Sequence, residues 1–190
     1  MDFSITLVGT APLLVHNSRL SDPLDPFAKA IAKISGKRKK TEDDHVEMGH
    51  INFLGALYYD SKVGPHIPAD NIQRSLLDAA RITRSGPKVN QGVFIHSGTY
   101  PLEYDGPRDA EKLWADENFR YRKSIKVQTQ RVMRVRPKFP QWSVTACGSV
   151  DTNILDFEEL RDIANTAGTR IGLGDWRPRW GRYTAELKAL

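Results

Sequence analysis

The sequence predicts an α+β fold in which a four-stranded sheet carries two helices, in the βαββαβ order of the ferredoxin-like fold. Three observations predict it. Both ends of the chain alternate as strands, at Phe3-Ile5-Leu7 and at Tyr183-Ala185-Leu187; amphipathic helices start near 70 and 156; and alternating segments lie between them. The order is strand 3–9, helix 70–84, strand 125–136, strand 141–150, helix 156–167, strand 181–189. Residues 1–190 read as one domain, with insertions over about 17–60, largely helical, and about 88–120.

Composition narrows the class. With 39% hydrophobic and 27% charged residues the chain has the balance of a globular protein, and no apolar run reaches the length that crosses a bilayer. The start, Met1-Asp2-Phe3-Ser4-Ile5, lacks a basic leader, so the expected compartment is the cytoplasm. Cys147 is the single cysteine, which excludes an internal disulfide and a multi-cysteine zinc site; within Val144-Thr145-Ala146-Cys147 it is expected to be a small buried hydrophobe. The net charge of +5 favours an acidic partner, and its distribution matters more than its size.

Each element has a local reason. Gly9-Thr10-Ala11-Pro12 interrupts the first strand before Leu13-Leu14-Val15. Asp25 caps a helix that has Pro26 in its first position and ends at Gly36. Lys37, Arg38, Lys39 and Lys40 then form a basic loop before Thr41 starts a second helix. Such a run is a solvated turn or a phosphate contact. Two short extended pieces near 57–60 and 63–68 lead to a helix with Asp70 as cap and Gln73 in the capping-box position, and Ile72, Leu76, Ala79 and Ala80 on its apolar face. Residues 88–104 hold one or two strands with Val93, Ile95 and Leu102 inward; residues 108–116 form a short helix around Leu113 and Trp114.

Between Phe119 and Phe139 there are eight lysines and arginines and no acid. The alternation there predicts one long strand, with Ile125, Val127, Thr129, Met133 and Val135 on one face and Lys126, Gln128, Gln130, Arg134 and Arg136 on the other. That second face is either a nucleic-acid track or a solvent face paired with distant acids. After the return strand, Asp156 with Glu159 begins the second core helix, which Gly168 closes.

The stretch 168–183, Gly-Thr-Arg-Ile-Gly-Leu-Gly-Asp-Trp-Arg-Pro-Arg-Trp-Gly-Arg-Tyr, then combines backbone donors, cations and stacking surface. On a nucleic acid, Arg170, Arg177, Arg179 and Arg182 would hold phosphates, Gly172 and Gly174 would admit the backbone, and Trp176 or Trp180 would stack on a base. Arg131, Arg134 and Arg136 would extend the track and Lys37–Lys40 would clamp it. The same residue types also suit a glycine-rich turn covering a core edge, or a protein contact.

Three segments resemble the RAMP superfamily of CRISPR-associated proteins. Phe3 to Leu14 resembles its first strand and proline-containing segment. Ile67-Pro68-Ala69-Asp70-Asn71-Ile72-Gln73-Arg74-Ser75-Leu76 resembles its entry into the first helix, with Ala-Asp-Asn where a glycine and serines are usual. Ile171-Gly172-Leu173-Gly174 through Gly181-Arg182-Tyr183 resembles its glycine-rich loop and last strand. The resemblance covers about a quarter of the chain. It implies a backbone-subunit-like or phage-encoded relative, non-enzymatic, that binds single-stranded RNA or DNA as a homo-oligomer or ribonucleoprotein subunit. The βαββαβ order itself predicts a sheet with both helices on one face and the other free to bind. A viral structural or interaction protein with the same fold is the alternative.

Catalytic and metal chemistry find little material. The five histidines, at 16, 45, 50, 66 and 96, have no metal-ligand spacing, so no metal and no cofactor is expected. His66, just before the first core helix, is the one candidate general base, for a RAMP-type endoribonuclease; a turn histidine after Gly64-Pro65 is the plainer reading. No Walker-type or dinucleotide-binding glycine motif occurs.

Overall fold

The computed structural model of the chain describes residues 1–127 and 130–190, the side chains of 125–132 excepted. Short polar side chains set where its first helices begin. After β1 (Asp2–Gly9) and β2 (Leu13–Leu14), the Asp25 carboxylate accepts from the Phe27 N–H and starts α1 (Pro26–Ser35). Thr41 and Asp44 form a reciprocal capping box at the head of α2 (Glu42–Ala56). There follow β3 (Tyr59–Asp60), β4 (Gly64–Pro68), α3 (Ala69–Ile82), α4 (Gly86–Gly92), β5 (Val93–Ile95), β6 (Thr99–Pro101) and α5 (Ala110–Ala115). The chain continues through β7 (Arg120–Val127), β8 (Gln130–Phe139), β9 (Ser143–Val150), α6 (Phe157–Thr166), a wide turn over Ala167–Ile171, and β10 (Tyr183–Ala189).

Two expected caps work differently. Pro68 precedes α3 with no side-chain cap, and Gln73 does not turn back toward Asp70. Its amide donates to the Val93 carbonyl (3.0 Å) and accepts from the Ile95 N–H (2.9 Å), so a helix side chain satisfies the outer edge of β5. At α6 the Asp156 carboxylate accepts from the Glu159 N–H (2.8 Å), while the Glu159 carboxylate accepts from Ser85 and Lys88 instead of closing a box.

Among the described residues the strands form three antiparallel sheets. The largest has the order β10–β1–β9–β5. Its inner face sets Phe3, Ile5, Leu7, Val144, Ala146 and Val150 against Ile72, Leu76, Ala79 and Ala80 of α3 and Leu160, Ile163 and Ala164 of α6, within one continuous hydrophobic cluster. The fold is thus mixed α+β.

The expected strand over 125–136 is not part of this sheet. The basic segment folds back on itself as a hairpin, β7 against β8, with β2 beside β8 in a second sheet. Gln128 and Thr129, expected within the strand, lie outside the described residues. The place beside β9 goes to β5, whose residues had been assigned to an insertion. Val93 and Ile95 are buried there, as expected, and so is Leu102. The third sheet has the order β3–β4–β6, and its central strand β4 runs directly into α3.

The outer face of the main sheet is not basic. Strict alternation turns Ser4, Thr6, Thr145 and Cys147 outward, so Cys147 is exposed and Ala146 takes the buried position expected of it. Lys188 on this face is paired with Glu186 (3.1 Å), and Asp2 is exposed nearby. Phe94 is the one large aromatic among its described residues. Such a face lacks the cations and stacking surface that an RNA-binding sheet needs.

Candidate nucleic-acid interface

The glycine-rich stretch is folded tightly against its own chain. Gly172, Gly174 and Gly181 have φ of 78, 79 and 69°, in the left-handed region. A Cβ on Gly174 would stand 2.2 Å from the Leu14 carbonyl oxygen, and one on Gly172 would stand 2.9 Å from that of Trp180. The glycines therefore admit β2 and the returning loop, a structural reason for Gly172 and Gly174 apart from the ligand approach expected of them. Several N–H groups are also taken: Leu173 donates to Gly181 O, Asp175 to Leu14 O, and Gly172 to Ala167 O.

Ser75 ties this loop to α3. Its hydroxyl donates to the Gly172 carbonyl (2.9 Å) and lies 2.9 Å from the Tyr183 hydroxyl, all three groups buried. Burial pushes the Tyr183 phenol up to about 12 against the opposing Ser75 bond, so it stays protonated. Ser75→Ala leaves two buried polar groups short of a partner. Thermal or urea unfolding should show a loss of about 2 kcal/mol.

What reaches outward from the loop is aromatic. Trp176 and Trp180 are half-buried, and Tyr121 of β7 packs against both, with ring centroids 5.6 and 4.7 Å away. Lys123, two residues along the same face of β7, holds its ammonium 5.6 Å from the Trp176 ring centre. The glycine-rich loop and the basic hairpin, whose Trp176 and Tyr121 are 55 residues apart in sequence, are thus one surface. Tyr121 and Lys123 were missed as site residues. The signal was an aromatic inside the run Arg120-Tyr121-Arg122-Lys123.

The cations divide into two sets. Arg170, Arg179 and Arg182 are exposed, and Arg182 Nε donates to the Pro178 carbonyl (2.9 Å). Arg177 is half-buried and reaches Asp78 (3.4 Å), which also accepts from Arg74 and Arg81. Arg136 is buried, its Nε 2.9 Å from an Asp175 carboxylate oxygen, and half-buried Arg134 donates to Asn52 (3.4 Å). These two hold the hairpin to the loop and to α2, and are no open track; an unpaired guanidinium there would cost too much desolvation. The Arg131 side chain lies outside the described residues.

The Lys37–Lys40 loop is engaged with the head of α2. Lys37 pairs with Asp44, which raises the lysine and lowers the carboxyl in pKa, and Lys40 donates to the Lys37 carbonyl. Arg38 and Lys39 remain exposed. His66 packs by Tyr58, its Nδ1 3.3 Å from the Gly64 carbonyl oxygen.

Among the described residues no cluster of three or more His, Cys, Asp or Glu could hold a metal, and no helix is long and apolar enough to cross a membrane. No family model and no curated protein matches the chain.

Proposed function

We propose that the protein is a non-enzymatic, RAMP-like subunit that binds single-stranded RNA or DNA across the surface shared by the glycine-rich loop and the β7–β8 hairpin, and that copies assemble side by side along the strand. The observation that carries this is the convergence of Tyr121, Trp176 and Trp180 with Lys123 at one edge of the molecule. Aromatic faces stack on bases of any sequence, while exposed Arg179 and Arg182 and half-buried Arg177 supply phosphate contacts. The ferredoxin-like part of the proposal is supported by the series β1, α3, β5, β9, α6, β10 and its strand order β10–β1–β9–β5.

A second reading, a viral structural or interaction protein, is favoured by Tyr121 and Trp176 being packed edge to face instead of splayed. Electron micrographs of purified protein with and without single-stranded nucleic acid separate the two. Particles that lengthen only when nucleic acid is added are expected. Rings or filaments from protein with a nucleic-acid-free 260/280 nm absorbance ratio would favour the second reading.

A further inference from the structure

A cleft of about 150 Å³ opens beside the aromatic surface, lined by His16, Tyr58, Asn71, Arg74, Gly174, Asp175 and Arg177. Four separate parts of the chain build it: the segment after β2, the end of the α2–β3 connection, the first turns of α3, and the glycine-rich loop. Arg136 reaches the same place from β8, since its Nε donates to Asp175.

Two polar atoms are buried without a hydrogen-bond partner among the described residues: Nδ1 of His16, which lines the cleft, and Nη1 of Arg136, whose Nε is bonded to the lining residue Asp175. Arg136 is only 6% exposed, so the orphaned donor is not served by bulk water. Buried polar atoms are rarely left unpaired, and a guanidinium N–H can only donate, so its partner must be an acceptor. The surrounding charge is cationic: Arg74, Arg136 and Arg177 stand against the carboxylates of Asp175 and Asp78. The volume suits one tetrahedral oxyanion with a few waters.

We infer that this cleft is a site for a single phosphate group, held by Arg74, Arg177 and Asn71, which line it, with Arg136 adding positive charge through its bond to Asp175 and His16 joining as a proton-dependent donor. The inference rests on the strand-binding reading for its physiological ligand, a phosphate of the bound strand, but the cleft itself takes free phosphate. His16 faces Arg136 and Arg134 on β8, Asp175 and Arg177 on the glycine-rich loop, Arg74 on α3, and Tyr58. Burial, then Arg136 and Arg134, lower its pKa, against Asp175, which favours the neutral ring. A bound phosphate reverses that balance and draws a proton onto the ring. Binding therefore takes up a proton and strengthens as pH falls through the histidine range.

The test is thermal unfolding of the full chain in inorganic phosphate, against sodium chloride at matched ionic strength, at about pH 8 and about pH 6. The wild type should gain about 3–5 °C per tenfold increase in phosphate above the dissociation constant, from a lower starting concentration at the lower pH. Phosphate also stabilises proteins non-specifically. Arg74→Gln, at an exposed side chain, should therefore retain only that background, and His16→Gln should bind phosphate without the pH dependence after both are corrected for phosphate's own titration. Equal phosphate gains in wild type and Arg74→Gln would overturn the site, and an unchanged pH dependence in His16→Gln would overturn the role of His16. Anisotropy titration of a labelled single-stranded oligonucleotide keeps the two ideas apart. Strand binding without specific phosphate stabilisation removes the cleft and leaves the proposed function, and phosphate stabilisation without strand binding does the reverse.

Discussion

Gly181→Ala is expected to cost about 3–5 kcal/mol, the largest loss of stability from any single methyl group in this chain. The residue sits at φ 69°, where an L side chain costs about 1–2 kcal/mol. Its new Cβ would also lie 1.9 Å from the Leu173 carbonyl oxygen, a backbone atom that no rotamer change can move. Relief requires the loop to part from itself, breaking the Leu173 N–H bond to Gly181 O and the Gly181 N–H bond to Pro12 O. A fall in melting temperature of about 6–20 °C follows for a chain of this size. A variant that melts within about 2 °C of the wild type would mean the loop is not held as described.

Loss of the aromatic and cationic side chains is expected to abolish strand binding without unfolding the protein. Trp180→Ala removes a stacking face worth about 1–3 kcal/mol, so affinity should drop about 5- to 150-fold. Because Trp180 also packs on Tyr121, Trp180→Phe is the necessary companion, expected to keep most of the affinity. Arg179→Ala with Arg182→Ala removes two exposed charges and should weaken binding to all sequences alike. Circular dichroism and melting curves near those of the wild type assign the loss to the surface.

The local elements were legible because each rests on short-range chemistry. Asp25, Thr41 and Asp156 stand where their side-chain oxygens accept from the first turns, and period-two burial at Phe3-Ile5-Leu7 and Val144-Ala146 follows from the pleat. The second core strand was not legible. Val93 and Ile95 showed as inward strand positions, but nothing local places this three-residue strand in the core sheet beside β9, and its outer edge is completed by Gln73, a contact 20 residues away. The segment 120–139 alternates at length with no Gly, Asn, Asp or Pro at 128–129 to announce a reversal, so it read as one strand. The glycine-rich stretch was recognisable by composition, but composition does not tell a glycine that admits a ligand from one that admits Leu14. Nor could it tell exposed Arg179 from buried Arg136; that division depends on Asp175 arriving from the far end of the chain.

The most direct measurement is a fluorescence-anisotropy titration of a labelled single-stranded oligonucleotide with wild type and with the Arg179→Ala/Arg182→Ala variant, at salt concentrations from about 50 to about 200 mM. Wild-type affinity should fall steeply with salt, and the variant should bind more weakly with a log–log slope shallower by about 1.4, the share of two phosphate contacts on a single strand. Identical affinity and identical salt slope in the two proteins, or no wild-type binding at the lowest salt, would contradict the assignment of this surface to nucleic acid.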